Sequence, residues 1–271
     1  MAKLFDTKVR IVPTWLAAAQ HLMRQASKTD SNLVLEIPDP SSITAEDRVL
    51  MRSIDAALES RDLYPLRSVA GTIFPLDLYR RHGRPVFYEE YVRMMKRGKA
   101  KGWGTYAQRM IVRSDRKSTN VLNPLELIVQ RISNAGQPLG KSFKNSYELG
   151  VAVPEEDLVD FSADIGGELP TYASDLDQNQ WYGFPCLSHL SFKRVQSGAN
   201  FAVDLTAVYR SHRYCERALG NLLGLAQLQW FVAKEAQLQV GTLTCVSTHA
   251  ELDALAWGGS EATRKLLGQP T

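Results

Sequence analysis

The sequence predicts a single α/β (α+β) domain in which helices flank a mixed, mostly antiparallel sheet. Three observations support this prediction: strands precede and follow a long apolar helix, two adjacent strands form a hairpin, and the composition is that of a globular protein. Of the 271 residues, 44% are hydrophobic and 23% are charged, which is enough for a full core. We therefore assign residues 1–271 to one domain.

Helices and one strand are predicted in the N-terminal part of the chain. Helix-forming residues occupy Trp15–Gln25, and the run Asn32–Ile37, which is stopped by prolines, indicates a short strand. Apolar residues recur at helical spacing after the capping residue Thr44, which indicates a second helix. Tyr88–Lys101 is basic and amphipathic, and we expect its charges to form a solvated helix face.

The clearest strand pattern lies in the C-terminal half, where two alternating segments flank a turn. Pro185–Phe192 and Phe201–Arg210 alternate along their length, and the Ser-Gly-Ala-Asn sequence between them is typical of a hairpin turn. In strict alternation, Cys186 and Ser188 share a sheet face with Leu190. We therefore expect an antiparallel hairpin whose first strand includes Cys186.

A long apolar helix follows this hairpin. Apolar residues recur at three-and-four spacing over Glu216–Gln239, and we expect Gly241 to end the helix. Leu243–Val246 then predicts the last strand. Residues 151–180 are acidic and contain glycine and proline, so we expect an irregular insertion there, within the single domain.

The composition argues against several classes of protein. The net charge of +3 is too small to indicate a nucleic-acid-binding protein, although a modest basic excess suits a small anionic ligand. No apolar run is long enough for a membrane span, and the first residues do not resemble a secretory signal. The three cysteines are odd in number and lack metal-binding spacing, which favours free thiols. We expect a cytoplasmic protein with no membrane or nucleic-acid partner and no metal site.

Three short motifs place a thiol, a guanidinium group and an amide in one region of the chain. Pro185 precedes Cys186, Arg210 precedes Ser211, and Asn221 lies eleven residues after Arg210. Nearby cations lower the pKa of a thiol, a guanidinium group binds phosphate in bidentate fashion, and an amide both donates and accepts hydrogen bonds. Taken alone, a cysteine at a strand start such as Cys186 is more often a small core residue than a nucleophile, and Arg210 could be a surface ion-pair residue.

Together these motifs resemble the thymidylate synthase superfamily, which includes the pyrimidine nucleotide hydroxymethylases. The resemblance is strongest over Pro185–Asp253 and extends upstream to a shorter match around Tyr106 and Arg109. It implies a thymidylate-synthase-like fold in which Cys186 adds covalently to C6 of a pyrimidine ring. Tyr106 and Arg109 would then line the pocket.

The same resemblance implies roles for the remaining residues and for the ligands. Arg210 and Ser211 would hold the nucleotide phosphate, and Asn221 would read the O4 and N3 edge of a uracil. Glu251 and Asp253 occupy the position of the family's sugar-binding His-x-Tyr pair, where carboxylates would bind a ribose diol. The resemblance further implies a pyrimidine nucleotide substrate, 5,10-methylenetetrahydrofolate as cofactor, and a homodimer whose sheets pack back to back.

The chain departs from the family pattern at positions that matter for chemistry. The segment that corresponds to the helix with the family's general-acid glutamate, Val69–Phe74, contains no carboxylate, and Arg213 replaces an aspartate. The family's paired arginines, which reach phosphate from the partner subunit, have no match between Leu139 and Tyr147. Only Lys141 and Lys144 are near that position.

Two hypotheses from different classes follow. The first is a one-carbon transferase that adds a methyl or hydroxymethyl group to C5 of a pyrimidine nucleotide through a Cys186 adduct. The second is a catalytically degenerate subunit with the same fold, which binds a nucleotide or assembles with other chains. Within the first hypothesis, hydroxymethyl transfer would need water rather than a hydride at the last step.

Overall fold

The structure is a computed structural model that describes six stretches of the chain. These are residues 2–5, 8–97, 104–114, 121–134, 166–170 and 185–268. Most of the predicted insertion at 151–180 lies outside the described residues, and so do Lys141 and Lys144 and the last residues of the predicted basic helix. The described part of the insertion, Gly166–Pro170, forms a strand.

Nine strands form two sheets in the described residues. In chain order they are β1 (Lys3–Phe5), β2 (Thr29–Ile37), β3 (Arg113–Ser114), β4 (Val121–Leu122), β5 (Gly166–Pro170), β6 (Leu187–Ser197), β7 (Asn200–Tyr209), β8 (His212–Arg213) and β9 (Gln239–Glu251). Strands β3 and β4 pair only with each other, and the other strands form a 7-stranded sheet. Its order is β1-β2-β9-β7-β6-β5, and the short strand β8 pairs with β9 off this path.

Nine α-helices accompany the sheet within the described residues. They are α1 (Ile11–Arg24), α2 (Ala45–Glu59), α3 (Leu66–Ile73), α4 (Leu76–His82), α5 (Val86–Arg97), α6 (Tyr106–Ile111), α7 (Pro124–Asn134), α8 (Leu219–Glu235) and α9 (Ser260–Leu266). A π-helical turn, Tyr214–Ala218, leads into α8, and a 3-10 turn, Ala254–Trp257, follows β9. Helices and strands share one buried core cluster, which confirms the predicted α/β (α+β) class.

The main sheet is mixed, and its longest ladders are antiparallel. Strand β6 pairs antiparallel with β7 from Leu187 opposite Tyr209 to Ser197 opposite Asn200, as the hairpin pattern predicts. Strand β2 pairs antiparallel with β9, whereas β7 pairs parallel with β9. Parallel neighbours need a crossover connection, and α8 supplies it. The expectation of a mixed, mostly antiparallel sheet is therefore confirmed.

Helix α2 begins where the capping residue Thr44 predicts it. The hydroxyl oxygen of Thr44 accepts the N–H of Asp47 at 3.2 Å, and the Asp47 carboxylate accepts the N–H of Thr44 at 2.9 Å. These reciprocal bonds form a capping box that satisfies two otherwise unpaired donors. Arg10, just before α1, donates to the same carboxylate at 2.9 Å. The start of α2 is therefore fixed by local sequence and tied to α1.

Helices α3 and α8 approach each other closely at two glycines. A Cβ atom on Gly220 would lie 2.6 Å from Cβ of Val69, and one on Gly224 would lie 2.8 Å from the carbonyl oxygen of Ala70. Side chains at these positions would clash, so the absence of a Cβ permits the contact. The contact places α3 against α8, the helix that carries Asn221.

One prediction for the hairpin is wrong. A β-bulge interrupts β6 between Leu187 and His189 and leaves Ser188 as the extra residue. Leu187 is consequently buried together with Leu190. Strict alternation, which grouped Cys186 and Ser188 with Leu190, therefore fails, and β6 begins one residue after Cys186.

The predicted end of the long helix is also wrong. Helix α8 stops at Glu235, Gln237 adopts a left-handed φ of 57°, and Gln239 already begins β9. Gly241 lies inside that strand rather than at the helix end. Its lack of a side chain has a packing reason instead, because a Cβ there would lie 2.1 Å from Oδ1 of Asp204.

Candidate functional site

Cys186 lies immediately before β6, where it bonds to two other segments of the chain. Its N–H donates to the phenol oxygen of Tyr106 at 3.1 Å, and its carbonyl oxygen accepts the N–H of Arg210 at 3.0 Å. The N–H of Leu187 donates to the same phenol oxygen at 3.3 Å. The Cys186 side chain is half-buried and is not in a disulfide. The structure thus brings together Cys186, Tyr106 and Arg210.

Tyr106 is the first residue of α6, and the start of this helix places its phenol oxygen at the Cys186 backbone. Thr105 caps this helix by accepting the N–H of Gln108 at 3.1 Å, and its hydroxyl lies 2.6 Å from the phenol oxygen of Tyr91. Tyr106 is 7% exposed; burial, and after it the neighbouring Cys186, raises its pKa to about 12. A phenol with that pKa is neutral at physiological pH, and its oxygen can accept backbone N–H groups.

Burial and three arginines set the electrostatic environment of the Cys186 thiol. Burial is the largest effect and raises the pKa, while the positive charges of Arg210, Arg213 and Arg217 lower it. The carboxylate of Glu216 raises it slightly further. The pKa of the thiol stays above its ordinary value. The free protein therefore holds Cys186 mainly as a thiol at neutral pH, and a nucleophilic role requires loss of that proton.

These arginines come from the segment that joins β7 to α8. Arg210 directs Nε to the carbonyl oxygen of Pro185 at 3.0 Å. Glu216 lies between the other two, with its carboxylate 3.3 Å from Arg213 and 2.8 Å from Arg217. The π-helical turn carries Glu216 and Arg217, and such wide turns are frequent at functional sites. Three guanidinium groups in the environment of one thiol suit an anionic ligand.

Ser211 and Arg109 lie near, in sequence, the cluster formed by Cys186, Tyr106, Glu216 and the three arginines. Ser211 follows Arg210 and is half-buried. Arg109 lies on α6 one turn after Tyr106, and its carbonyl oxygen accepts Nε–H of Arg113 at 3.3 Å. Ser211 therefore adjoins in sequence one residue that bonds the Cys186 backbone, and Arg109 lies one helical turn from the other.

Asn221 belongs to a buried polar chain that the sequence does not predict. Its Nδ2 donates to Nε2 of His212 at 3.1 Å, and Nδ1 of His212 lies 2.9 Å from Oγ of Ser247. The His212 ring stacks on Tyr209, with centroids 4.0 Å apart and planes 2° from parallel. Tyr209 pairs across the sheet with Leu187. Asn221 is therefore linked, through His212 and Tyr209, to the start of β6, which follows Cys186.

Asp253 and Glu251 lie where β9 ends, but they are placed differently. The Asp253 carboxylate accepts the N–H of Cys215 at 2.8 Å and the N–H of Glu216 at 3.2 Å. Burial raises the pKa of Asp253 to about 6, although these N–H groups favour its charged form. Glu251 is half-buried and pairs in register with Arg213. Asp253 therefore fixes the π-helical turn that carries Glu216.

Sequence reasoning missed several residues of this cluster. His212 and Glu216 were not among the predicted site residues, nor were Arg213 and Arg217 as cations acting on the thiol. The fifth residue that was not predicted is Tyr64. It is 65% exposed, and the Arg217 guanidinium lies 5.7 Å from the centroid of its ring. One sequence pattern could have predicted the two further arginines: Arg213, Glu216 and Arg217 follow Arg210 at helical spacing.

Helix α3 supplies no carboxylate to the cluster. Its Thr72 hydroxyl donates within the helix, to the carbonyl oxygen of Val69 at 2.7 Å. A carboxylate that does act on the Cys186 thiol is that of Glu216, which raises the thiol pKa. This acidic group therefore comes from the π-helical turn and not from α3.

The described residues show neither a membrane-spanning helix nor a cluster of metal ligands. No helix among them combines the necessary length and apolarity to span a membrane. No three His, Cys, Asp or Glu side chains in the same stretches converge as ligands would. A comparison with models of known protein families finds no match to the chain, and a comparison with curated protein sequences finds none either.

Proposed function

We propose that this protein is a thymidylate-synthase-like transferase that adds a one-carbon unit, methyl or hydroxymethyl, to C5 of a pyrimidine nucleotide. The supporting observation is the junction at the candidate nucleophile, where the Cys186 backbone bonds to the phenol oxygen of Tyr106 and to the N–H of Arg210. The segments that meet there are the ones that carry the resemblance. Their convergence supports a single site around Cys186.

Cys186 would act as the nucleophile. The thiol loses its proton, Sγ bonds to C6 of the pyrimidine, and the electrons of the C5–C6 double bond make C5 an enolate-type nucleophile. Arg210, Arg213 and Arg217 favour the thiolate and oppose the effect of burial on its pKa. Glu216, the carboxylate in the same environment, would accept the thiol proton. After C5 has gained its substituent and lost its proton, the Sγ–C6 bond breaks and the thiolate is restored.

The cationic segment would bind the nucleotide phosphate. Arg210 and Ser211 would contact the phosphate directly, and Arg213 adds a positive charge where the family has an aspartate. Asn221 would read the base, and Glu251 would lie near the sugar. Together these residues fit an anionic ligand with a hydrogen-bonding heterocycle.

The one-carbon donor implied by the resemblance is 5,10-methylenetetrahydrofolate, which when bound would supply the methylene group and, for a methyl product, also the hydride; a hydroxymethyl product would take water instead. Tyr64 offers an exposed aromatic surface beside the guanidinium group of Arg217. This pair fits a molecule that combines a fused heterocycle with carboxylates, because the ring can stack and the cation can pair. Tyr64 and Arg217 are therefore the described residues that would hold the cofactor.

The outer face of the sheet would form the homodimer interface. Val34, Val246 and Val208 are cross-strand neighbours on β2, β9 and β7, and all three are half-buried. Leu35 and Cys245, the next residue pair along the β2–β9 ladder, are fully buried in the core. A row of valines on a solvent-facing sheet surface is the kind of surface that a second sheet covers. The proposed dimer packs two copies of this face together.

Intact-protein mass spectrometry tests the covalent step. The protein is incubated with 5-fluoro-dUMP or 5-fluoro-CMP, with and without 5,10-methylenetetrahydrofolate, because fluorine at C5 blocks the final proton loss and traps the adduct. We expect a mass increase that Cys186→Ser abolishes and Cys215→Ser retains. Cys215 is a suitable control because it is also a free cysteine, and burial raises its pKa. Absence of a Cys186-dependent adduct in every combination would refute the covalent mechanism.

A second function, nucleotide binding or assembly without turnover, is favoured by two observations. The pKa of Cys186 is raised rather than lowered, and α3 offers no carboxylate. Under this alternative, calorimetry should show that Cys186→Ser binds a nucleotide as tightly as the wild type, with no product from either protein. Detection of a 5-methyl or 5-hydroxymethyl nucleotide would rule it out and identify the group transferred.

A further inference from the structure

A chain of four buried polar groups runs from the base-reading residue into the core. Asn221 Nδ2 contacts His212 Nε2 at 3.1 Å, His212 Nδ1 contacts Ser247 Oγ at 2.9 Å, and Ser247 Oγ lies 3.4 Å from the phenol oxygen of Tyr214. These groups come from α8, β8, β9 and the π-helical turn. His212 is only 1% exposed. The contacts therefore belong to the protein interior, where each donor needs a matching acceptor.

The His212 ring is fixed in orientation and is neutral. It stacks on Tyr209 at 4.0 Å and meets the edge of Tyr214 at 5.4 Å, so rotation of the ring would break both contacts. Burial lowers its pKa to about 3. A neutral imidazole has one donor nitrogen and one acceptor nitrogen. Because Nε2 accepts from Asn221, Nδ1 carries the proton and donates to Ser247.

This arrangement holds the Asn221 amide in one orientation. With Nδ2 bound to His212, the amide oxygen points the other way, and no described residue donates a hydrogen bond to it. Uracil presents N3–H as a donor and O4 as an acceptor, whereas cytosine presents N3 as an acceptor and its 4-amino group as a donor. Turning the amide by half a rotation exchanges its oxygen and nitrogen, so for a base bound in one position the two orientations favour different pyrimidines.

We propose that His212 is a positioning residue that locks the Asn221 amide and thereby determines which pyrimidine the site prefers. The inference rests on the proposed function, in which Asn221 contacts the base. His212 itself does not touch the ligand. Its effect is on selectivity between two bases rather than on the affinity for nucleotides in general.

The ratio of the dissociation constants for dUMP and dCMP, measured by calorimetry, tests the proposal. In the wild type we expect one of the two nucleotides to bind at least about tenfold more tightly than the other, a difference of about 1.4 kcal/mol in binding free energy. His212→Phe keeps a flat ring on Tyr209 and removes both nitrogens, so the amide can turn. We expect its ratio to fall by about tenfold. A general loss of structure would weaken the binding of both nucleotides and leave the ratio of their dissociation constants unchanged.

Two further variants protect this test against misfolding of His212→Phe. Ser247→Ala removes the partner of Nδ1 and frees the imidazole to exchange its proton between nitrogens, so we expect a reduced ratio here as well. Tyr214→Phe removes only the distant hydroxyl at 3.4 Å and should keep the wild-type ratio. An unchanged ratio in folded His212→Phe or Ser247→Ala overturns the inference. A wild type that binds both nucleotides equally overturns it too, whereas a wild type that binds neither overturns the proposed function.

Discussion

The hydrogen bonds of Tyr106 give a stability prediction that can be checked against a second tyrosine of the same region. Tyr106→Phe removes a phenol oxygen that accepts N–H groups from Cys186 and Leu187. An intramolecular hydrogen bond contributes about 0.5–1.5 kcal/mol net, so we expect a loss of about 2 kcal/mol in the free energy of unfolding. Because these bonds also hold the proposed nucleophile, Cys186, in place, formation of the fluoropyrimidine adduct should slow by about tenfold or more.

Tyr209 provides the matched control for this experiment. Like Tyr106 it is buried, but among the described residues its phenol oxygen has no hydrogen-bond partner. Tyr209→Phe should therefore leave the free energy of unfolding unchanged or raise it by about 1 kcal/mol. Both variants are measured by urea denaturation followed by tryptophan fluorescence, with equal slopes as the check on two-state behaviour. Equal destabilisation by the two substitutions would refute the assigned role of Tyr106.

Three further predictions concern packing, pH and assembly. Gly224→Ala should lower the free energy of unfolding by about 1–3 kcal/mol in urea denaturation, because the new Cβ would lie 2.8 Å from the carbonyl oxygen of Ala70. Gly71→Ala is the control: its new Cβ would meet nothing within 4 Å, so it should be neutral or stabilising. The pKa of Asp253 is about 6 in the fold and about 3.9 when unfolded, so its contribution to stability falls as pH rises from about 4 to about 6. Asp253→Asn should flatten that part of the stability profile, and an unchanged profile would contradict the assignment. Val246→Lys should convert the proposed dimer to a monomer in sedimentation velocity, and a wild type that is already monomeric would contradict the proposed interface.

Local sequence patterns predicted most of the elements because each pattern has a local physical cause. Thr44 and Asp47 form the capping box that starts α2, and the turn after β6 forms the expected hairpin. The failures have non-local causes. The bulge at Ser188 shows only in the pairing of β6 with β7. A left-handed residue, Gln237, follows the end of α8, so the helix stops well before Gly241.

The candidate site was predictable only in part. Cys186, Tyr106 and Arg210 were predicted from motifs, and in the structure the Cys186 backbone bonds to the Tyr106 side chain and to the Arg210 backbone. The role of His212 depends on pairing between β8 and β9 and on contact with Ser247, which are far apart in sequence. No pattern along the chain reveals such a contact.

The most direct measurement of the central claim is peptide mapping of the fluoropyrimidine adduct. The trapped protein is digested, and the modified peptide is identified by tandem mass spectrometry. The proposed mechanism requires the nucleotide on Cys186 and none on Cys215 or Cys245, whose thiols are buried and have raised pKa values. Modification of either buried cysteine, or no modified peptide while 5-substituted product accumulates, would contradict covalent catalysis by Cys186.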